Sequence, residues 1–190
     1  MSNKTLQIKK ICLSALFLVL GWILPLITGQ VPSIGKMLCP MHIPVLLCGF
    51  ILGPWYGLLI GLMTPLTRCL FFSTPTFYPT ALCMAFELGA YGLVSGLMIK
   101  LLNRKLKMNY LLSVIVSLII AMLLGRVVWA IARFSCGLFD KNYFTWKMFL
   151  AGGFINAWPG ILVQLILIPT ILAVLSRLHV INYLNTQKSD

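Results

Sequence analysis

Acidic residues are almost absent from this chain. Only Glu87, Asp140 and Asp190 occur among 190 residues, against 15 lysines and arginines. Chemistry that needs two cooperating carboxylates therefore has nothing to run on. The patterns GxxxxGK[ST], HExxH and GxSxG are also missing, which argues against a phosphate-binding loop, a zinc helix or a nucleophile elbow. The six cysteines form no CxxC pair, and several fall in apolar runs, where cysteine behaves as a small hydrophobe. Cys39 and His42 have a ligand-like spacing, but two donors with no carboxylate beside them do not make a metal site. No metal and no other cofactor is expected.

Charge of either sign is scarce, at 9% of the sequence, whereas 60% is hydrophobic. A soluble domain needs a larger polar surface than this, so the chain reads as an integral membrane protein. Runs at residues 11–27, 41–52, 55–67, 79–99, 110–132 and 149–176 predict six membrane helices in one domain, residues 1–190. Such long continuous runs fit an all-α helix bundle, because backbone groups in hydrocarbon must be satisfied within each segment. Gly53-Pro54 divides the second run from the third. The first run follows Lys4, Lys9 and Lys10 but is longer than a signal-peptide core and lacks a small-residue cleavage site, so it is expected to stay as a helix.

Lys4, Lys9, Lys10, Lys100, Arg104, Lys105, Lys107, Arg177 and Lys188 would share one face, against Lys36, Arg68, Arg133, Lys141 and Lys147 on the other. The richer face is cytoplasmic by the positive-inside rule, which puts both termini inside. The formal charge of +12 is spread over helix ends and lacks one dense basic face. It fits contact with a bilayer of anionic lipid and not with nucleic acid.

Glu87 and Arg126 break this pattern, since each lies deep in a membrane run. A charge there costs several kcal/mol, on the order of 3, unless it is paired or faces a polar cavity, so it marks a candidate site. Arg126, Trp129 and Arg133 share one helical face, Glu87 and Tyr91 another, and Asn156, Gly160 and Gln164 a third. An ion pair between Glu87 and Arg126, with Arg68 and Arg133 snorkelling to the interface, accounts for the charges without a ligand. Taken together, the stripes favour a cavity. Gly49, Gly53, Gly57 and Gly61, with Gly92 and Gly96, recur every four residues, a spacing that lets helices approach closely in lipid. No internal repeat of the kind that builds many self-sufficient transporters is present, so the chain reads as a binding subunit that needs a motor.

The segments Leu24-Pro25, Thr28-Gly29-Gln30 and Pro40-Met41-His42-Ile43-Pro44-Val45-Leu46-Leu47-Cys48-Gly49 resemble the substrate-binding S components of energy-coupling factor (ECF) transporters. So do Phe50-Ile51-Leu52-Gly53-Pro54-Trp55-Tyr56-Gly57, Pro65-Leu66-Thr67-Arg68, Met84-Ala85-Phe86-Glu87-Leu88 with Tyr91-Gly92, and Pro159-Gly160-Ile161 with Gln164 and Pro169. The likeness covers nearly the whole chain, and the Pro-Met-His-Ile-Pro segment and the Glu-containing helix are its more specific parts, pointing to the vitamin-uptake branch. It implies a bacterial plasma-membrane protein that captures a vitamin or related micronutrient near the outer face, under the loop 28–41. It also implies a transmembrane coupling protein and two cytoplasmic ATPase subunits as partners. In that family an AxxxA arrangement recurs on the first helix; here Ser14 and Ala15 are followed four residues on by Leu18 and Val19.

On this reading Arg126, Arg133 and Arg68 supply cationic donors, Asn156 and Gln164 read amide or hydroxyl groups, and Trp129 packs on the ligand. Glu87 balances Arg126 in the empty state beside Tyr91, and His42 caps the second helix or touches the ligand. The excess of cationic donors points to an acidic ligand, since guanidinium binds carboxylate bidentately. Pantothenate is the first choice; a cobalamin-like, pyridoxine-like or folate-like ligand stays open. Two other classes also stay open: a structural or assembly protein packing through its glycine faces, and an intramembrane enzyme using His42 or Glu87 as a base.

Overall fold

The computed structural model describes residues 3–27, 39–103, 109–140 and 157–177. Six helices make up this part of the chain: α1 Asn3–Ile27, α2 His42–Leu52, α3 Pro54–Phe72, α4 Leu82–Leu101, α5 Tyr110–Asp140 and α6 Trp158–Arg177. No strand occurs among the described residues. A kinked segment, Phe77–Ala81, in which Tyr78 is extended at φ −112° and ψ 135°, leads into α4. Five of the helices are long and apolar enough to cross a bilayer. The exception is α2, whose 11 residues rise only about 16 Å.

The α2–α3 break follows from two adjacent residues. Gly53 sits at φ 105°, a conformation that a side chain disfavours, and Pro54 begins α3 where its missing N–H costs no bond. The chain reverses there, and the contacts with α4 give the directions. His42 meets Tyr91, whereas Gly49 meets Gly92, so α2 runs parallel to α4. Gly57 meets Gly92 and Gly61 meets Leu88, so α3 runs antiparallel to it. A Cβ on Gly57 would lie 2.5 Å from the Gly92 carbonyl oxygen, and one on Gly96 would lie 2.5 Å from the Pro54 nitrogen. The glycines at four-residue spacing thus face inward and bring α2, α3 and α4 into backbone contact.

The centre of the bundle is α4, packed against α2, α3 and α5. Its buried positions Cys83, Ala85, Glu87, Leu88, Tyr91, Gly92, Ser95 and Gly96 spread around the helix, as they must when neighbours lie on several sides. In contrast, α1 buries Leu6, Ser14, Phe17 and Gly21 on one stripe and exposes Ile8, Ile11, Leu16, Val19 and Ile23. That outer face has the composition of a lipid-facing surface. At its far end α1 is tied to α3: Trp22 donates from Nε1 to Thr67 Oγ1 at 3.0 Å, and the Trp22 ring packs on Phe71 at 5.1 Å.

Candidate functional site

The short helix α2 begins inside the bundle. His42, its first residue, lies at the level of Glu87 and Tyr91, and Glu87 is five residues into α4, about 8 Å of rise. The partial positive charge of the α2 N-terminus is therefore delivered to the interior, beside a carboxylate. Met41, the N-cap position, offers no side-chain oxygen to the first turn. Cys39, at φ 46°, turns the chain so that its carbonyl accepts from the His42 N–H at 3.1 Å and faces His42 Nδ1 at 3.0 Å.

That second contact sets the imidazole. A carbonyl can only accept, so Nδ1 carries the hydrogen, and in neutral His42 the lone pair sits on Nε2. Nε2 faces Glu87 Oε1 at 3.6 Å, longer than a hydrogen bond, and has no hydrogen-bond partner. His42 is 3% exposed, so an imidazole nitrogen is left unsatisfied in a buried place.

Glu87 gathers the other groups. Arg126 of α5 donates from NH1 to Oε1 at 2.7 Å, and Tyr91 donates its hydroxyl to the same oxygen at 2.9 Å. Glu87 and Tyr91 are one helical turn apart on α4, so a single face presents both. The Tyr91 ring is held between His42, at 5.0 Å between centroids, and Gly125 of α5. A Cβ on Gly125 would collide with that ring, so the glycine beside Arg126 makes room for Tyr91. The Arg126 guanidinium also reaches the side chain of Cys39. Burial pushes the Cys39 thiol above its ordinary value, which keeps it protonated at neutral pH.

The ion pair that the charges of Glu87 and Arg126 led us to expect is thus present, and His42, Tyr91 and Cys39 close around it. Glu87 is 2% and Arg126 8% exposed. Removing either partner would strand a charge in a medium where that is costly. Trp129 and Arg133 continue the Arg126 face of α5 and are half-buried, with Arg133 reaching Cys83 of α4. Gln164 is buried on α6, which packs against α2 and α5.

Arg68 is not brought to this cluster. It donates from NH1 to the Trp22 carbonyl at 2.8 Å and lies over the Phe72 ring at 5.6 Å, holding α3 to α1. Asn156 and the greater part of the loop 28–41 lie outside the described residues. Two contributors escaped the sequence reading. By sequence Cys39 reads as a small hydrophobe with a ligand-like spacing to His42, although its place three residues before His42 is that of a turn preceding a helix. Gly125 had no signal beyond a small residue next to a buried arginine. Among the described residues no group of three potential metal ligands occurs. An apolar groove of about 410 Å³ between α5 and α6, lined by Leu111, Leu165, Pro169 and Arg177 among others, lies at the N-terminal end of α5, away from Arg126 at its middle.

Fold and geometry together define a polytopic helical membrane protein with a charged centre shared by three of its helices. The sequence profile of the family described as the ECF transporter substrate-specific component matches residues 9–172, and the chain belongs to that family. It is accordingly a membrane substrate-binding component, in a family of transporter subunits and not of enzymes. Neither a search of curated proteins nor a search of solved structures found a significant match.

Proposed function

We propose that the cluster of His42, Glu87, Tyr91 and Arg126 is the floor of the ligand site, and that its ligand is a small anionic vitamin carrying hydroxyl or amide donors. The observation that carries this reading is the unsatisfied, buried His42 Nε2, 3.6 Å from the carboxylate that neutralises Arg126. An anionic group of the ligand takes donors of the Arg126 guanidinium, in competition with Glu87, and gains from the α2 N-terminus. A hydroxyl or amide N–H of the same ligand donates to His42 Nε2. Burial makes each of these contacts selective, because an analogue lacking the group leaves a polar atom unpaired.

Pantothenate has a carboxylate, an amide and hydroxyls, and it represents this class. Gln164 of α6, with Trp129 and Arg133 above Arg126, completes the proposed lining, to which Asn156 is assigned from its sequence pattern alone; Arg68 acts on it only through the placement of α1. Delivery to the cytoplasm uses a transmembrane coupling protein and two ATPase subunits, since the chain has no phosphate-binding loop. Both termini then face the cytoplasm, in the plasma membrane of a bacterium.

Native mass spectrometry of the protein purified in mild detergent, followed by calorimetric titration with pantothenate, tests the reading. Saturable binding at one ligand per chain is expected. Stoichiometric retention of another vitamin would replace the substrate while keeping the site. Failure to bind any of a panel of vitamins would overturn the site, and would favour a purely structural ion pair.

A further inference from the structure

Away from the cluster, two free cysteines on different helices lie side by side. Cys83 Sγ of α4 and Cys136 Sγ of α5 are 3.6 Å apart, in hydrogen-bond contact. Cys83 is one turn before Glu87 on α4, and Cys136 is ten residues after Arg126 on α5, so the sulfurs sit between the ion pair and the ends of those helices. Around them Tyr78 donates its hydroxyl to the Cys136 carbonyl at 2.9 Å, and the Arg133 guanidinium reaches Cys83. Arg133 also belongs to the proposed lining of the ligand site; the two thiols and Tyr78 do not.

We infer that Cys83 and Cys136 form a dithiol site that closes into a disulfide by exchange with a low-molecular-weight disulfide, clasping α4 to α5 above the Glu87–Arg126 pair. The burial of the two sulfurs sets the order of the steps. Cys136 is partly exposed and Cys83 is 1% exposed, so the Cys136 thiolate attacks the small disulfide first. One thiolate leaves, and a mixed disulfide remains on Cys136. The Cys83 thiolate, already adjacent, then attacks Cys136 Sγ, the mixed bond breaks, and the second small thiolate leaves. The two protons shed by the cysteines go to the two departing thiolates. Two electrons pass from the protein to the small disulfide, which ends as two thiols.

The clasp joins the two helices that carry Glu87 and Arg126, so it restricts any separation of α4 from α5 that a ligand needs to reach the floor. That consequence rests on the proposed site; the cross-link itself does not. The chain has six cysteines, and those described are all reduced.

The test treats the full chain in detergent with oxidised glutathione, then counts free thiols by maleimide labelling after denaturation and maps the peptides. Cys83 and Cys136 are both expected to leave the free-thiol pool, with one cross-linked peptide joining residues 83 and 136. In Cys83→Ser, glutathione is expected to stay on Cys136 as a mixed disulfide; in Cys136→Ser, the buried Cys83 thiol stays free. Six free thiols after treatment, or a cross-link between other cysteines, would overturn the dithiol site. For the clasp, the rate at which Cys39 is alkylated in the folded protein is followed before and after oxidation. A drop of about tenfold that dithiothreitol reverses is expected. An unchanged Cys39 rate with the 83–136 bond in place would overturn the clasp and leave the dithiol standing.

Discussion

Two arginines divide the molecule into two regions. Arg68, at the end where α1 meets α3, gives its guanidinium to a backbone carbonyl and an aromatic ring. Arg126, where α2, α4 and α5 meet, gives its guanidinium to a carboxylate. Both are buried, at 5% and 8% exposure. A neutral carbonyl satisfies hydrogens without cancelling charge and cannot move away from its own helix, so the Arg68 contact is a structural tie. A carboxylate cancels the charge and can be outcompeted by another anion, so the Arg126 contact can serve as an exchange site. Burial of a cation does not by itself mark function; the nature of the partner does.

The sharpest way to break this contrast is Arg126→Ala. It leaves the Glu87 carboxylate buried without its counter-charge, which should cost about 3–5 kcal/mol of stability. Titration should show ligand binding lost entirely. Adding Glu87→Gln to the same chain should recover most of the melting temperature and none of the binding. Retained binding in the single variant would refute the exchange role.

The next effect belongs to the glycine contacts that position α2 against α4. Gly92→Ala pushes a methyl into the Gly57 backbone, at a cost of about 1–3 kcal/mol, read as a lowered melting temperature in detergent. Gly125→Ala, by contrast, meets the Tyr91 ring and should weaken ligand binding more than it lowers stability.

Smaller again is His42→Ala. Loss of one buried hydrogen bond to the ligand is worth about 1–1.5 kcal/mol, or roughly tenfold in affinity by calorimetry. If affinity is unchanged, Nε2 does not meet the ligand. The smallest effect on binding is expected from Arg68→Ala. It should keep affinity within about threefold while costing about 1–2 kcal/mol of stability through loss of the tie to Trp22. An affinity loss as large as that of Arg126→Ala would erase the distinction between the two regions.

The helices themselves were legible from hydropathy, but their ends were not. The apolar run 11–27 became a helix from Asn3, and the run 110–132 became one reaching Asp140. Hydropathy marks the part that suits hydrocarbon, whereas backbone hydrogen bonds carry the helix on through the interface. The kink at Tyr78 left no periodic trace either. Within the site, Glu87 and Arg126 stood out because a charge in an apolar run is costly. The roles of Cys39 and Gly125 were hidden, since they depend on which side chain from another helix arrives beside them. Arg68 illustrates the reverse case: grouped by type with Arg126 and Arg133, it faces α1 instead.

What the amino-acid sequence determined by itself was the class: with 9% charge and long apolar runs, only a membrane bundle satisfies the backbone. It also determined that a buried acid and a buried base had to find partners. Only the tertiary structure decided which partners. Packing of α2 and α3 on α4 through their glycines sets how far α2 reaches, and so places His42 Nε2 3.6 Å from Glu87, beyond a hydrogen bond. That distance is fixed by contacts between residues far apart in the chain, which no local pattern of residues encodes.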